Sequence, residues 1–217
     1  MSRSLSIAID GPAGAGKSSV SAALAKRLGY IQIDTGAIYR SITLFELRNP
    51  TAFNLASIDY KASQISDSTH HYLNGEDVTD AIRSAEVTAA VSRVSSRFEV
   101  RAFAVELQRT AARNYLASGF GVVLEGRDIG TVVLPDADLK FFLTASIEKR
   151  AERRSAELNE DLSAHVQMLN DRDAADMGRE ISPLVQAHDA ILVDTTDLDF
   201  DEVLNVLMAH VTKRIAD

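Results

Sequence analysis

The stretch LSIAIDGPAGAGKSSVSAALAKRLG, Leu5 to Gly29, decides the fold class. Leu5 to Asp10 reads as a short apolar strand. Lys17 to Leu28 carries Val20, Ala23, Leu24 and Leu28 at helical spacing, with Gly29 placed to cap the helix. Between them Gly11, Gly16, Lys17 and Ser18 satisfy G-x-x-x-x-G-K-[ST]. A strand, a glycine loop and a helix N-terminus form the context in which that pattern cradles phosphates. The glycines let backbone N–H groups turn inward, the helix start adds positive potential, Lys17 reaches the β and γ oxygens, and Ser18 can ligate Mg²⁺. The binding segment is Gly11, Pro12, Ala13, Gly14, Ala15, Gly16, Lys17, Ser18 and Ser19. Mg²⁺ is expected to arrive with the nucleotide and to keep several waters, so no all-protein metal cage is sought.

The loop does not say where the phosphate goes, because motors, switches, transporters and kinases share it. Composition narrows the choice. A chain of 217 residues, 46% hydrophobic and 25% charged, fits one globular domain with insertions. No apolar run approaches the roughly 18 residues of a membrane span. The start, MSRSLSIAID, is too short in apolar residues for a signal-peptide core. With no cysteine, disulfides and thiolate-bound metals are excluded, and a cytoplasmic location is expected. A net charge of -8 argues against a general nucleic-acid binder. Arg fills 17 of the 23 basic positions, an excess that codon bias in a GC-rich genome explains for the most part, so position must decide which arginines matter. The adjacent His70 and His71 and the scattered His165, His188 and His210 lack metal-ligand spacing and read as surface or core histidines.

Further along, short apolar strands alternate with helical patterns, as in an α/β protein with a parallel sheet. A strand over 30–34 leads into a helix, TGAIYRSITLFELRN, ended by Pro50. Residues 51 to about 95 break the alternation and read as an insert. It holds a polar helical stretch near Ser57 to Ser68, a hairpin turning on Asn74-Gly75, and an amphipathic helix with Val87, Val91 and Val94. A long helix over 99–117, capped by Gly119, precedes a buried strand running into EGRDIG. LKFFLTA and AILVDTT are the remaining strands. The last helix opens with Asp199 and Glu202 at capping-box spacing. Arg40 and Arg127 both follow strand ends, the edge where open α/β sheets bind ligands, and are expected to face the crevice of the glycine loop. Surface ion pairing is the alternative for either alone.

The segments DGPAGAGKSS, DTGAIYR, NGEDVTDAIRSAEV, SRVSSRFEVR, EGRDIGTVVLPDA, Arg172-Asp173 and SPLVQAHDAILVDTT occur in the order and approximate spacing of the bacterial cytidylate kinases, which the chain resembles from Ile7 to its last helix. The resemblance implies the nucleoside monophosphate kinase fold: a five-stranded parallel sheet with helices on both faces, an inserted monophosphate-binding subdomain and a small lid. The core would comprise residues 1–38, 96–147 and 174–217, the insert about 39–95 and the lid about 148–173. It implies the reaction ATP + CMP to ADP + CDP, with dCMP accepted and UMP poorly used, and a monomer. Arg40 and Arg127 would hold the CMP phosphate beside Thr35. Ser92, Arg101 and Asp128 would read cytosine, and Asp176 and Arg179 would hold ribose and phosphate. Lys17, Arg127 and Arg172 would act on the transferring group, with Arg150, Arg153 and Arg154 in the lid. Glu148, Lys149 and Glu152 leave Arg153 and Arg154 an alternative as a solvated helix face. The stretch from Arg154 to Arg172 is shorter than in typical members, and Phe98 stands where a proline is common.

Chemistry accords with those positions. Cytosine offers an amino donor beside two acceptors, so it suits an acceptor such as Asp128 or Ser92 next to a donor such as Arg101. The acceptor phosphate is already ionised near neutral pH, which removes any need for a general base. Lid closure would exclude water, the competing acceptor. A UMP or shikimate kinase is the nearest rival. A GTPase switch would need an Asn-Lys-x-Asp segment, which the sequence lacks.

Overall fold

The computed structural model describes residues 4–65, 68–158 and 162–216. In chain order its elements are β1 (Ser6–Asp10), α1 (Lys17–Leu28), β2 (Ile31–Asp34), α2 (Thr35–Arg48), β3 (Tyr60–Ile65), β4 (Ser68–Leu73), β5 (Glu76–Asp77), α3 (Ala85–Ser95), α4 (Phe98–Ala117), β6 (Val122–Gly126), β7 (Leu139–Thr144), α5 (Ile147–Leu158), α6 (Leu162–Met177), β8 (Ile191–Asp194) and α7 (Phe200–Ala216). They fall into two compact units, Met1–Ile33 with Gln108–Asp217, and Asp34–Leu107.

The first unit carries a five-stranded sheet in the order β2-β6-β1-β7-β8. β1 pairs in parallel with β6 and β7, and β7 with β8. All five residues of β1 and four of the five in β6 are buried, as befits central strands of a parallel sheet covered on both faces. Ile7, Ile9, Phe141 and Leu143 pack with Val20 and Leu24 of α1 and with Val203, Leu207 and Val211 of α7. Each fully buried aliphatic side chain contributes about 1.5 to 3 kcal/mol. The ends of these helices follow local chemistry. Gly29, at φ 67, sends its N–H back to the carbonyls of Ala25 and Lys26. The Glu202 N–H donates to Asp199 Oδ1 at 2.8 Å, and the Asp199 N–H to Glu202 Oε2 at 2.8 Å, the reciprocal box that the sequence predicts.

The parallel register levels the strand ends, since Asp10 lies opposite Gly126 in β6 and Phe142 in β7. β1 connects onward to β2 on one side of the sheet and β6 to β7 on the other. The loops after β1 and β6 therefore diverge at a topological switch point, the place where open α/β sheets bind ligands.

The second unit combines the antiparallel sheet β3-β4-β5 with α2 and α3. Its core gathers Ile38, Ile42 and Phe45 of α2 with Leu73, Val78, Ile82, Val87 and Val94. Asn74 and Gly75 both have positive φ, 50 and 84, and close the β4-β5 hairpin in the primed geometry that their types favour. The helical reading of Ser57 to Ser68 is overturned. Tyr60–Ile65 is β3, paired with β4 from Tyr60 opposite Leu73 to Ile65 opposite Ser68. The polar residues of β3 lie on the exposed edge strand, so they show no apolar alternation, and pairing with β4 overrides the local pattern. Ser66 and Asp67, within that same reading, lie outside the described residues.

Gly11, at φ 147, follows β1 so tightly that a Cβ there would sit 2.0 Å from the Leu143 carbonyl oxygen of β7. Gly11→Ala must displace strand backbone, and a loss of about 3 kcal/mol or more in unfolding free energy is expected. Denaturant melts check this, and an unchanged midpoint would contradict it.

Candidate active site

The glycine loop runs from the end of β1 into α1, and its conformation rests on Gly11, Gly14 at φ 75 and Gly16 at φ 82. Lys17, in the first turn of α1, is 5% exposed and donates from Nζ to the Pro12 carbonyl at 2.7 Å. Burial, and then the guanidinium of Arg127, bring its ammonium down from 10.5 to about 7, with Arg172 adding to the effect while Glu125 and Asp10 oppose it. Three cationic side chains thus act on one another at the loop, an arrangement that an incoming polyanion relieves.

Two acidic residues frame the loop. Asp10 accepts the backbone N–H groups of Ile129 at 2.8 Å and Gly130 at 2.7 Å. Burial raises its carboxyl to about 6 in spite of those two bonds. Glu125, in β6, accepts the Ser18 hydroxyl at Oε1, 2.8 Å away. A serine hydroxyl beside a carboxylate is an oxygen donor set suited to Mg²⁺, which prefers such ligands and retains water. Behind the loop, Asp173 and Arg150 hold Ala13: the Ala13 N–H donates to Asp173 Oδ1 at 3.2 Å, and Arg150 donates to the Ala13 carbonyl at 2.9 Å and to Asp173 Oδ2 at 2.6 Å.

At the neighbouring strand end, Arg127 donates from Nε to Asp176 Oδ2 at 2.8 Å. Arg179 donates to the other oxygen of the same carboxylate. Asp176 is 3% exposed and sits between two guanidiniums, each held in a fixed orientation by the shared partner. Arg172, one turn before Asp176 on α6, is exposed. Asp128 is buried and starts a π-helical turn, Ile129–Val133, whose first N–H groups are the two that Asp10 holds. In this unit the structure therefore gathers Lys17, Ser18, Arg127, Asp176 and Arg179 at loops and helix ends that share one sheet edge. Arg153 stands apart from both sequence-based readings: it donates to the Thr195 hydroxyl at 3.0 Å and to the carbonyls of Thr195 and Leu198 at 2.6 and 3.3 Å, bracing the approach to α7. Arg154 is half-buried.

The other candidates belong to the second unit. Thr35, the first residue of α2, is buried. Arg40 donates to the Ile82 carbonyl at 3.3 Å and the Thr88 hydroxyl at 2.9 Å. Arg101 is 3% exposed, donates to the Ser95 carbonyl at 3.2 Å and lies 5.4 Å from the Tyr39 ring centroid, while Ser92 is exposed on α3. Ser95 links the two, accepting from Arg101 at its carbonyl and donating from its hydroxyl to the Ser92 carbonyl at 3.3 Å.

Residues 7–213 match the family model for cytidylate kinase. The chain belongs to the cytidylate kinase family. It is 45% identical over 230 residues to the cytidylate kinase of Geobacillus sp. (strain WCH70), with 99% of this chain and 100% of that one covered. It is 48% identical over 223 residues to the cytidylate kinase of Streptomyces griseus, covering 98% and 95%. A putative kinase of Chloroflexus aurantiacus, 18% identical with a TM-score of 0.50 over 98% of each chain, has the same kind of α/β fold. As a cytidylate kinase family member the protein is a kinase, and the edge that carries Lys17 and Arg127 is its candidate active site.

Asp10, Glu125 and Asp173 were missed as functional candidates by sequence reasoning, although each lies inside or beside a quoted motif. Their partners are 107 or more residues away in sequence, in Ser18, Ile129 and Ala13, so no local spacing marks them.

A lysine that holds its proton to 10.5 when unfolded and to about 7 when folded opposes folding most fully below pH 7, and the penalty fades as pH rises from 7 towards 10.5. Lys17→Met should therefore stabilise the unliganded protein most at pH 6 to 7, with the gain shrinking as pH rises above that. Paired urea melts at pH 6.5 and 8.5 measure it, and a gain independent of pH would rule out the assigned shift.

Proposed function

We propose that the protein transfers the γ-phosphoryl group of ATP to CMP and dCMP, giving ADP and CDP or dCDP. The observation that carries the reading is the glycine loop between β1 and α1 with Lys17 buried in its first helical turn, where burial first and then Arg127 and Arg172 lower the ammonium, a cluster of cations that an anionic ligand would neutralise. ATP is assigned to Gly11 through Ser19, with Lys17 on its β and γ oxygens. Ser18, with Glu125 accepting from it, would hold Mg²⁺ through oxygen, and the ion would supply positive charge to the phosphates.

For the acceptor, Arg127 and Arg179 take phosphate oxygens, with Asp176 orienting both and available to the ribose. From the resemblance, Thr35 and Arg40 of the second unit also serve the phosphate, and Ser92 and Arg101 join Asp128 in reading cytosine. Arg172 is assigned to the charge that develops on the group in transit. The attacking oxygen of a monophosphate is already ionised, so these residues need only align two anions and stabilise the phosphoryl group as it moves. The reading includes a cytoplasmic monomer, in keeping with a cysteine-free sequence of net charge -8.

Incubated with Mg-ATP and CMP, dCMP, UMP or AMP in turn, the purified protein should form ADP fastest with CMP or dCMP. Preference for AMP would sink the reading, and slow hydrolysis indifferent to any monophosphate would favour a nucleotide switch.

Uracil presents a carbonyl where cytosine presents its amino group, and an unpaired buried polar group costs about 1 to 3 kcal/mol. Asp128→Ala should accordingly narrow the CMP over UMP preference, in kcat/KM, by about tenfold or more while leaving the KM for ATP within a few-fold. Lys17→Ala should lower turnover with every acceptor. Identical acceptor profiles for the two variants would refute the division of roles.

A further inference from the structure

We propose that Arg150 and Asp173 are positioning residues for the nucleoside triphosphate, holding the phosphate loop in its binding shape through both peptide groups of Ala13. The inference rests on the donor reading above. Ala13 lies between Pro12 and Gly14 in the loop. Its N–H goes to Asp173 and its carbonyl to Arg150, and the two side chains close the ring by pairing with each other at 2.6 Å.

The pair is buried, with side chains 8% and 11% exposed, so neither charge has water to fall back on when its partner is lost. Arg150 also donates from Nε to the Ala145 carbonyl at 3.0 Å. One guanidinium thereby joins the end of β7, the loop and α6, a span for which the planar fork is suited and a lysine ammonium is not. Gly14 brings the loop backbone against α5, where a Cβ would meet Arg150 Cβ at 3.1 Å and the Arg150 carbonyl oxygen at 3.3 Å. Ala13 itself packs with Ala151 and Leu169, and with Ile147 and Val166, of the same two helices. The apolar cluster of the sheet contains neither Ala13 nor the helices α5 and α6: it is made chiefly by β1, β6, β7, β8, α1 and α7, with Ala15 as its member from the loop. The clasp touches the loop backbone directly, while Asp176 on the same helix contacts Arg127 and Arg179 through its own carboxylate, so the main effect of losing the clasp is expected on ATP.

The test compares wild type with Arg150→Lys, Asp173→Asn and the double variant, measuring KM for Mg-ATP, KM for CMP, kcat and thermal midpoint. Asp173→Asn keeps the side chain's size and an acceptor for the Ala13 N–H, and Arg150→Lys keeps the charge. Each single change should raise the ATP KM about tenfold with the CMP KM within twofold, and the double variant should be no worse than the worse single, because the two groups act as a unit. An ATP KM within twofold of wild type, parallel rises in both KM values, or a double variant whose effect is the product of the singles overturns the proposal. Amide exchange on the unliganded wild type needs no variant: Ala13 N–H should exchange at least tenfold more slowly than Gly14 N–H, and equal rates would overturn it. Wild type that shows no saturation by ATP with any acceptor removes the donor reading itself, whereas normal ATP kinetics in wild type and variants alike removes the clasp alone.

Discussion

A single carboxylate ties the glycine loop to the neighbouring strand end. Asp10 closes β1, immediately precedes Gly11, and accepts the N–H groups of Ile129 and Gly130 just after β6. The start of the phosphate loop and the residue that begins the π-helical turn, Asp128, are thereby locked to one another across 119 residues of sequence. Burial makes that lock expensive to ionise, and its two N–H donors offset part of the penalty. A neutral residue at position 10 could not accept both amides with full charge, and the relative placement of Lys17, Arg127 and Asp128 depends on those two bonds.

Around this lock, polar groups of the loop and the strand end are placed by partners within the protein. Arg127 and Arg179 are aligned on Asp176, Ser18 on Glu125, and Ala13 on Asp173 with Arg150. Preorganisation of this kind removes part of the reorganisation that a transition state would otherwise require. Lys17 differs in resting on a backbone group, the Pro12 carbonyl of its own loop.

Much of the fold was legible in the sequence, wherever local chemistry and tertiary packing agree. The α1 boundaries follow from Lys17 and Gly29, the β4-β5 hairpin from Asn74-Gly75, and the start of α7 from Asp199 and Glu202. β3 was misread because its exposed polar residues carry no period-two signal and its identity comes from pairing with β4. In the site, the glycine loop and its lysine are local and were visible. The acidic partners were not, since their meaning lies in contacts between distant segments. Arg153 shows the same limit: a basic run on a helix reads as solvated or phosphate-binding, while the structure uses this member to hold carbonyls before α7.

Asp176 has a consequence for selectivity that goes beyond alignment. Two half-buried guanidiniums left to themselves would be a general anion trap, open to sulfate, inorganic phosphate or any stray carboxylate at cellular concentration. With the carboxylate between them the cluster carries one net positive charge instead of two, and its forks are already partly engaged. A small anion then gains little over the resident Asp176. On the proposed function, prolonged occupancy would go to ligands that bring a second set of contacts, so a bare phosphate would leave quickly and a whole nucleotide would be favoured.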